Sequence, residues 1–567
     1  MLPRLLLALA ALSGCAHDPA REQEGAGPAA PALLREAAEE AGLAFRHFAD
    51  AGQEYRLPEI MGAGLALLDY DTDGDMDVLF LQGGALEGGA SGSARGGPSA
   101  PGAGCRLFEN RVVPEGSLSF ADVTQRAGLA FQGYAMGAAV GDYDGDGDPD
   151  IYITALGPNA LFRNDGDGAF TRIDGPQDRR WSTSATFADY DADGDLDLFF
   201  ANYVDFTVRN NKQCFSPVGA RDYCNPTVYN PVPDRLFRND GGRFTDVSGP
   251  AGLGAAFGNG LGVVAADLNG DSRTDLYVAN DGTANQLWIN QGGGRFSNTA
   301  MLAGAAVNAD GRAEAGMGVI ASDFDHDGDD DLLLTHNTLE TNTLYRNDGR
   351  GMFLDVTNRL GLGGDSMPFT GFGLSWADFD HDGRIDVFVA NGAVTVMESL
   401  RGQPHPFLQE NQFFRGKEGG FGLLDGESTW GRLAPLAGRG TATGDLDLDG
   451  DLDLVVSNNN GPARLYLNQT GGDRWVRVRL EAGGGNPRGI GARVGLHFAD
   501  GSSMWRRVHR DGSYLSASEP AAHFGLGGAD GIEFAEVRWP DGGRERYPAP
   551  RPGATVTLGR AAGTPVE

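Results

Sequence analysis

One nine-residue pattern constrains this chain more than any other feature. It first reads Asp69-Tyr70-Asp71-Thr72-Asp73-Gly74-Asp75-Met76-Asp77 and returns as DYDGDGDPD from Asp142, DYDADGDLD from Asp189, DLNGDSRTD from Asp267, DFDHDGDDD from Asp323, DFDHDGRID from Asp378 and DLDLDGDLD from Asp445. Carboxylates or an Asn hold positions one, three, five and nine of every copy. Alternate residues along a tight turn point inward, so this spacing gathers hard oxygen ligands around one centre, which suits Ca²⁺. Up to seven ions are expected.

The expected ligands of the first three loops are Asp69, Asp71, Asp73, Asp75 and Asp77, then Asp142, Asp144, Asp146, Asp148 and Asp150, then Asp189, Asp191, Asp193, Asp195 and Asp197. The fourth and fifth supply Asp267, Asn269, Asp271, Arg273 and Asp275, then Asp323, Asp325, Asp327, Asp329 and Asp331. The last two supply Asp378, Asp380, Asp382, Arg384 and Asp386, then Asp445, Asp447, Asp449, Asp451 and Asp453. Arg273 and Arg384 occupy the seventh position, where a cation pointing inward would repel a metal, so that position is expected to offer its backbone carbonyl. Gly at position six, as in Gly74, allows the positive φ of the turn. Ser272 stands there in the fourth copy, which is expected to be the weakest site.

An EF-hand would need a bidentate Glu at position twelve and a following helix. Position twelve is instead Phe80, Ile153, Phe200, Val278, Leu334, Val389 and Val456, inside β-rich runs such as VLFL and IYIT. Each loop therefore feeds a strand. A Gly-punctuated segment precedes it (Gly62 to Leu68, Gly260 to Val264), and a hairpin such as LFRNDGDGAF from Leu161 follows. A strand of the type Phe120-Ala121-Asp122-Val123 ends the unit. Four strands, seven units and no helical period give an all-β chain, with a seven-bladed β-propeller over residues 33–472. The seventh unit lacks its last strand, whereas Leu34-Arg35-Glu36 and Ala41-Gly42-Leu43 look like the end of a unit without a beginning. Residues 33–45 are therefore expected to close the ring, a short helix from Leu33 to Ala41 being the other reading.

The net charge is −33, and the seven loops contain 33 Asp, so acidity is concentrated in them. Nucleic acid is excluded as a partner on this ground. From Asp473 onward the balance turns to 13 Arg and no Lys against 11 acidic residues. Trp475-Val476-Arg477-Val478-Arg479-Leu480 alternates like a half-buried strand. Residues 473–560 read as a small β-sandwich-like domain. Its Arg-rich face either docks on the propeller, the favoured reading, or meets an anionic ligand.

At the N-terminus Arg4 precedes a short apolar run and Leu12-Ser13-Gly14-Cys15, a lipobox pattern in residues 1–15 that implies export and lipidation of Cys15. Residues 16–32 read as a tether. Cys214 and Cys224 are expected to pair in an oxidising compartment, which leaves Cys105 over. Residues 83–104 are a Gly/Ala/Ser/Pro loop. Residues 203–234 carry Tyr203, Phe206, Phe215, Tyr223 and Tyr229, either a binding surface or a self-packed cap. His326 and His381 read as exposed spacers at the fourth loop position, and His523 as packed.

These loops and their surroundings resemble the FG-GAP/VCBS repeats of integrin-type propellers. WVRVRL from Trp475, NPRGIGARV from Asn486, GSYLS from Gly512, HFGLG from His523 and VRWPDGG from Val537 resemble the ASPIC/UnbV domain. Together they resemble the cartilage acidic protein family in a bacterial lipoprotein form. The resemblance implies extracellular Ca²⁺ binding and adhesion, with a protein or polysaccharide ligand. No G-x-S-x-G, H-E-x-x-H or Walker A motif is present, and no enzyme activity is expected. The expectation is an exported, calcium-binding interaction protein, lipid-anchored to the bacterial envelope at the outer membrane or cell surface. A carbohydrate-active enzyme using the central funnel and a structural envelope scaffold are the alternatives.

Overall fold

The apolar run after each acidic loop has no polar face, because both of its faces are covered: Val78, Leu79 and Phe80, or Leu276, Tyr277 and Val278, expose nothing to solvent. A sheet packed against a neighbour on either side requires this composition. The computed structural model describes residues 32–49, 52, 54–86, 104–396, 400–403, 406–431, 433–529 and 531–566. The leader, Cys15, the tether before residue 32 and the loop centre at 87–103 lie outside the described residues.

Among the described residues, seven four-stranded antiparallel sheets form between residues 34 and 468. The first blade is Leu65–Leu68, Asp77–Phe80, Arg106–Asn110 and Phe120–Asp122, in sequence order from the centre outward. The next five repeat that order, with first strands Tyr134–Gly141, Ser182–Ala188, Gly260–Ala266, Val319–Ser322 and Gly371–Ala377. The seventh, Gly438–Gly444, Asp453–Asn458 and Arg464–Asn468, takes its outer strand from the other end of the chain. Leu34–Glu36 pairs there, Leu34 opposite Asn468 and Glu36 opposite Tyr466. First strands contact one another around a ring, and Gly438–Gly444 meets Leu65–Leu68 to close it. The fold is all-β, a propeller with an appended β domain.

The C-terminal part is two sheets over one core. Trp475–Glu481 lies between Ala522–Gly525 and Ala554–Gly559, and a five-stranded sheet around Arg493–Phe498 and Ile532–Arg538 covers it. Val476, Val478, Leu480, Val494, Leu496 and Val537 fill the space between. Residues 32–567 form one compact unit, so this domain is packed on the propeller rather than tethered to it.

Candidate metal centres and the domain that covers them

Each acidic loop links the first and second strands of a blade, so all seven share one face of the ring. Position four is left-handed in every loop: Thr72, Gly145, Ala192, Gly270, His326, His381 and Leu448 have φ between 57° and 76°. Only two of these are glycine, so residue type alone does not announce the turn. Position six has φ of 87° to 105° where it is Gly, and 65° at Ser272. Between these turns the side chains cap the backbone. The position-five carboxylate accepts the N–H of position seven in all seven loops, as Asp73 does from Asp75 at 3.2 Å and Asp449 from Asp451 at 2.9 Å.

Position one accepts the N–H of position six through Oδ2 in loops two to six, for example Gly147 to Asp142 at 2.8 Å. In loops two, four and six Oδ1 also accepts backbone N–H groups, as Asp142 does from Gly145 and Asp146, but in the other loops it is left over. Oδ1 of Asp69, Asp189, Asp323 and Asp445 at position one, and of Asp71, Asp144 and Asp447 at position three, is buried without a hydrogen-bond partner. Such groups are costly unless a ligand satisfies them. In five loops three carboxylate oxygens lie within 4.8 Å of one another, as in Asp69, Asp71 and Asp77 or Asp378, Asp380 and Asp386. These groups fit a hard divalent cation. Position seven turns its side chain elsewhere: Asp75 accepts from Val113 N, Asp195 from Gly241 N and Asp451 from Gly471 N. The Arg384 and Arg415 guanidiniums pair with Asp382, and Arg415 also with Asp380, so loop six is partly neutralised by the protein itself.

Position nine also binds the backbone on both sides of its strand. Asp77 accepts from Tyr70 N at 2.9 Å and Asn110 N at 2.8 Å, and every copy repeats both bonds. The asparagine in the third strand, read from sequence as part of a hairpin turn, is an inter-blade clasp. Its amide reaches the position-two carbonyl of the preceding blade: Asn164 to Tyr70, Asn239 to Tyr143, Asn290 to Tyr190, Asn347 to Leu268, Asn468 to Phe379, and across the closure Asn110 to Leu446, all at 2.7–2.9 Å. Blade six has Gly416 instead, whose N–H still binds Asp386 at 2.7 Å. Asn164→Ala is expected to cost roughly 1–3 kcal/mol, the penalty of orphaning a buried carbonyl, read as a lower urea midpoint at constant slope.

Burial, and then the neighbouring carboxylates, push the loop acids upward. Asp71, Asp142 and Asp189 rise to about 6, Asp75, Asp323 and Asp447 to about 7, and Asp150, Asp197 and Asp331 at position nine to about 9. The cause is anionic charge without a counter-ion in a low-dielectric setting.

The β domain supplies cations to this face. In Trp475–Glu481 the valines enter the sandwich while the arginines face the propeller. Arg477, 2% exposed, holds Asp445 at 2.9 Å and also pairs with Glu519. Arg479 donates to the Gly74 carbonyl at 3.2 Å. Arg493 donates to the Gly328 carbonyl at 2.6 Å and pairs with Asp330 at 3.2 Å. Gly527 N donates to the His381 carbonyl at 2.8 Å. Gly485 lies so close that a Cβ there would sit 2.4 Å from Asp195 Oδ1.

One segment goes deeper. Residues 511–519, which contain the GSYLS motif, fill the middle of the ring and bond to the first strand of every blade. Ala517 exchanges backbone bonds with Leu65 and Leu67 at 3.0 and 2.9 Å, and Leu515 O accepts from Ala138 N at 3.2 Å. Leu515 N reaches Ser184 Oγ at 3.1 Å, and Asp511 accepts from Ala265 N at 2.6 Å. Ser513 accepts from Val319 N through its carbonyl and from Leu374 N through its hydroxyl, each at 3.1 Å. Glu519 N donates to Thr443 O at 3.1 Å. Tyr514 is wholly buried, edge-on to Phe372 at 4.8 Å, and the buried Arg439 guanidinium lies 3.9 Å from that ring.

Other sequence expectations resolve unevenly. His326 and His381 are not exposed spacers: His326 Nε2 sits 2.9 Å from the Gly383 carbonyl of loop six, and His381 is 4% exposed beneath the β domain, whose Gly527 N binds its carbonyl. His523 is buried. Cys214 and Cys224 are disulfide-bonded, and Cys105 is buried and free. In the 203–234 insertion that the disulfide staples, Tyr203, Phe206 and Tyr229 join Trp181 in the propeller core, whereas Phe215 is 60% exposed.

Comparison with known families agrees with this division. Models of the FG-GAP-like repeat match residues 142–200, 267–334 and 323–389, each running from one acidic loop through the second strand after the next. The ASPIC and UnbV model matches residues 482–565. The chain carries FG-GAP-like repeats followed by an ASPIC and UnbV domain. It is 28% identical to cartilage acidic protein 1 of Homo sapiens over 512 residues, 86% of this chain and 70% of that one. The Mus musculus protein of that name is 29% identical, over 86% and 71%. Among solved structures, an Agrocybe aegerita lectin that recognises non-reducing terminal N-acetylglucosamine covers 65% of this chain and 81% of its own at 16% identity, TM-score 0.37. A Lactobacillus plantarum protein covers 67% and 88% at 12% identity, also with TM-score 0.37.

Proposed function

We propose that this FG-GAP-like repeat protein is an exported, lipid-anchored interaction protein whose propeller is held in its binding form by calcium. The observation that carries the reading is the set of buried carboxylate oxygens at loop positions one and three that no hydrogen-bond donor satisfies. Positions one, three, five and nine would hold each ion by carboxylate or amide oxygen and position seven by its carbonyl, an all-oxygen set of the kind Ca²⁺ takes. The ions supply charge neutralisation. The chain's own residues fix the loops and the blade order. No helix among the described residues is long and apolar enough to cross a membrane, and the disulfide suits an oxidising compartment.

The ligand surface in this reading is the face opposite the loops, where the disulfide-stapled hairpin presents Phe215 and Val218, 60% and 66% exposed, beside Arg221. A binding role is favoured over a catalytic one because residues 511–519 take the place at the ring's centre where a propeller enzyme gathers its side chains. The test mixes the full chain with a panel of envelope and matrix polysaccharides in calcium, recording protein retained and reducing ends released. Retention that chelator abolishes, with no ends released, is expected. Released sugar would overturn the reading, and neither signal would direct the search to a protein ligand.

A further inference from the structure

Between loops six and seven and the β domain lie three side chains of metal-ligand type, several of whose polar atoms have no hydrogen-bond partner. His381 is 4% exposed, and both of its ring nitrogens lack a partner. Its sister in loop five, His326, occupies the same loop position and is held at Nε2 by the Gly383 carbonyl, with only Nδ1 left unpartnered. The nearest charged group to His381 Nε2 on the facing loop is Asp451 Oδ1 at 3.7 Å, itself buried and unpartnered. That separation is too long for a hydrogen bond. It is close to the spacing of two ligands that share one ion, about 3.4 Å for tetrahedral bonds near 2.1 Å.

The third member comes from the other domain. His523 lies with its ring centre 5.3 Å from that of His381, and Trp475 stacks against its far side at 6.2 Å. Its Nε2 is 3.0 Å from the Gly450 carbonyl, which fixes the proton on that nitrogen and leaves Nδ1 with a free lone pair; Nδ1 is buried without a partner. A ring nitrogen held by a backbone carbonyl while the other is bare is the arrangement of a metal-ligating histidine. Asp451 is likewise oriented: its Oδ2 accepts from Gly471 N at 2.6 Å, leaving Oδ1.

We propose that His381, His523 and Asp451 bind one borderline divalent transition ion of the Zn²⁺ class, which clasps the β domain to blades six and seven. Two imidazoles and a carboxylate are the ligands such ions select, whereas the oxygen-only loops select calcium. The site is thus chemically separate from the loops, and it does not depend on the identity of the propeller's ligand.

The test uses the full chain, stripped with chelator and returned to excess Ca²⁺ so that the acidic loops are filled. Co²⁺ is then titrated and its visible ligand-field absorption recorded, with Zn²⁺ retained after dialysis counted in parallel. One saturable equivalent with nitrogen-ligand bands is expected, displaced by Zn²⁺. His523→Gln and, separately, His381→Asn are each expected to weaken it at least about tenfold while retaining the calcium-dependent melting transition. Absence of a saturable Co²⁺ signal in the unmodified chain would overturn the proposal, whether or not the variants fold. So would a signal that neither substitution alters.

Discussion

Chelation at neutral pH is expected to lower the melting temperature of the full chain sharply, and acidification is then expected to raise the melting temperature of the stripped protein. The first effect follows from the charge in the loops. Two carboxylates about 4 Å apart repel by about 4 kcal/mol at an effective dielectric of 20, and each loop holds several. An ion present at a hundred times its dissociation constant adds about 2.7 kcal/mol per site. The second effect follows from the sign of the shifts. Loop acids such as Asp71, Asp75 and Asp150 rise from the usual carboxylate range to about 6, 7 and 9 in the folded, metal-free chain. Between pH 4 and those values the folded state binds more protons than the unfolded state, so stability falls as pH rises through this window. Calcium held by these loops would compete with the same protons, so the calcium-loaded protein is expected to behave oppositely and lose its advantage toward pH 4. Asp511 does not disturb the comparison. Burial raises it, but Arg507 and His509 outweigh that and hold it near 2, so its contribution is lost only in stronger acid. Calorimetry in calcium and in chelator across this range reads both curves. A stripped protein whose melting temperature falls steadily on acidification from neutrality would contradict the loop electrostatics.

Arg477→Met is expected to cost about 3–5 kcal/mol, the range for removing one partner of a buried ion pair. Arg477 is 2% exposed and bonds two acids, Asp445 of loop seven and Glu519 of the central segment, each almost fully buried. Methionine matches the bulk of the stem but leaves both carboxylates facing each other. Arg479 reaches Glu519 at 3.3 Å and compensates only in part. Two further outcomes separate charge from packing. Adding Glu519→Gln to Arg477→Met removes one uncompensated anion and should recover part of the loss, whereas a packing defect would not respond. Because Asp445 is the proposed position-one ligand of loop seven, the single variant is also expected to lean more heavily on calcium, with a larger melting shift between calcium and chelator than the one expected of the unmodified chain.

The repeat, the strand order and the ring closure were legible because each is written in local pattern: a nine-residue loop, an apolar run, an Asn-Asp-Gly turn and a missing last strand. The convergence of carboxylates at positions one and three was legible for the same reason. The left-handed fourth position was not, since Thr72, Ala192, His381 and Leu448 share no chemistry that announces it. The asparagine clasps hid behind the turn they also belong to. Alternation in Val476-Arg477-Val478-Arg479 pointed to one buried face, but the second face is buried too, and only the acidic partner across the interface makes that tolerable. The central segment was least legible. Gly512-Ser513-Tyr514-Leu515-Ser516-Ala517 has the small, polar composition of an exposed loop, and its partners lie more than a hundred residues away in every blade except the last.

The most direct test of the account is a count of calcium per chain, by elemental analysis after equilibrium dialysis of the full protein. Close to seven ions are expected, one for each loop, with loop four, which has Ser272 at position six, and loop six, neutralised by Arg384 and Arg415, the last to fill. One or two ions at saturation would contradict the assignment of the repeated loops as metal centres.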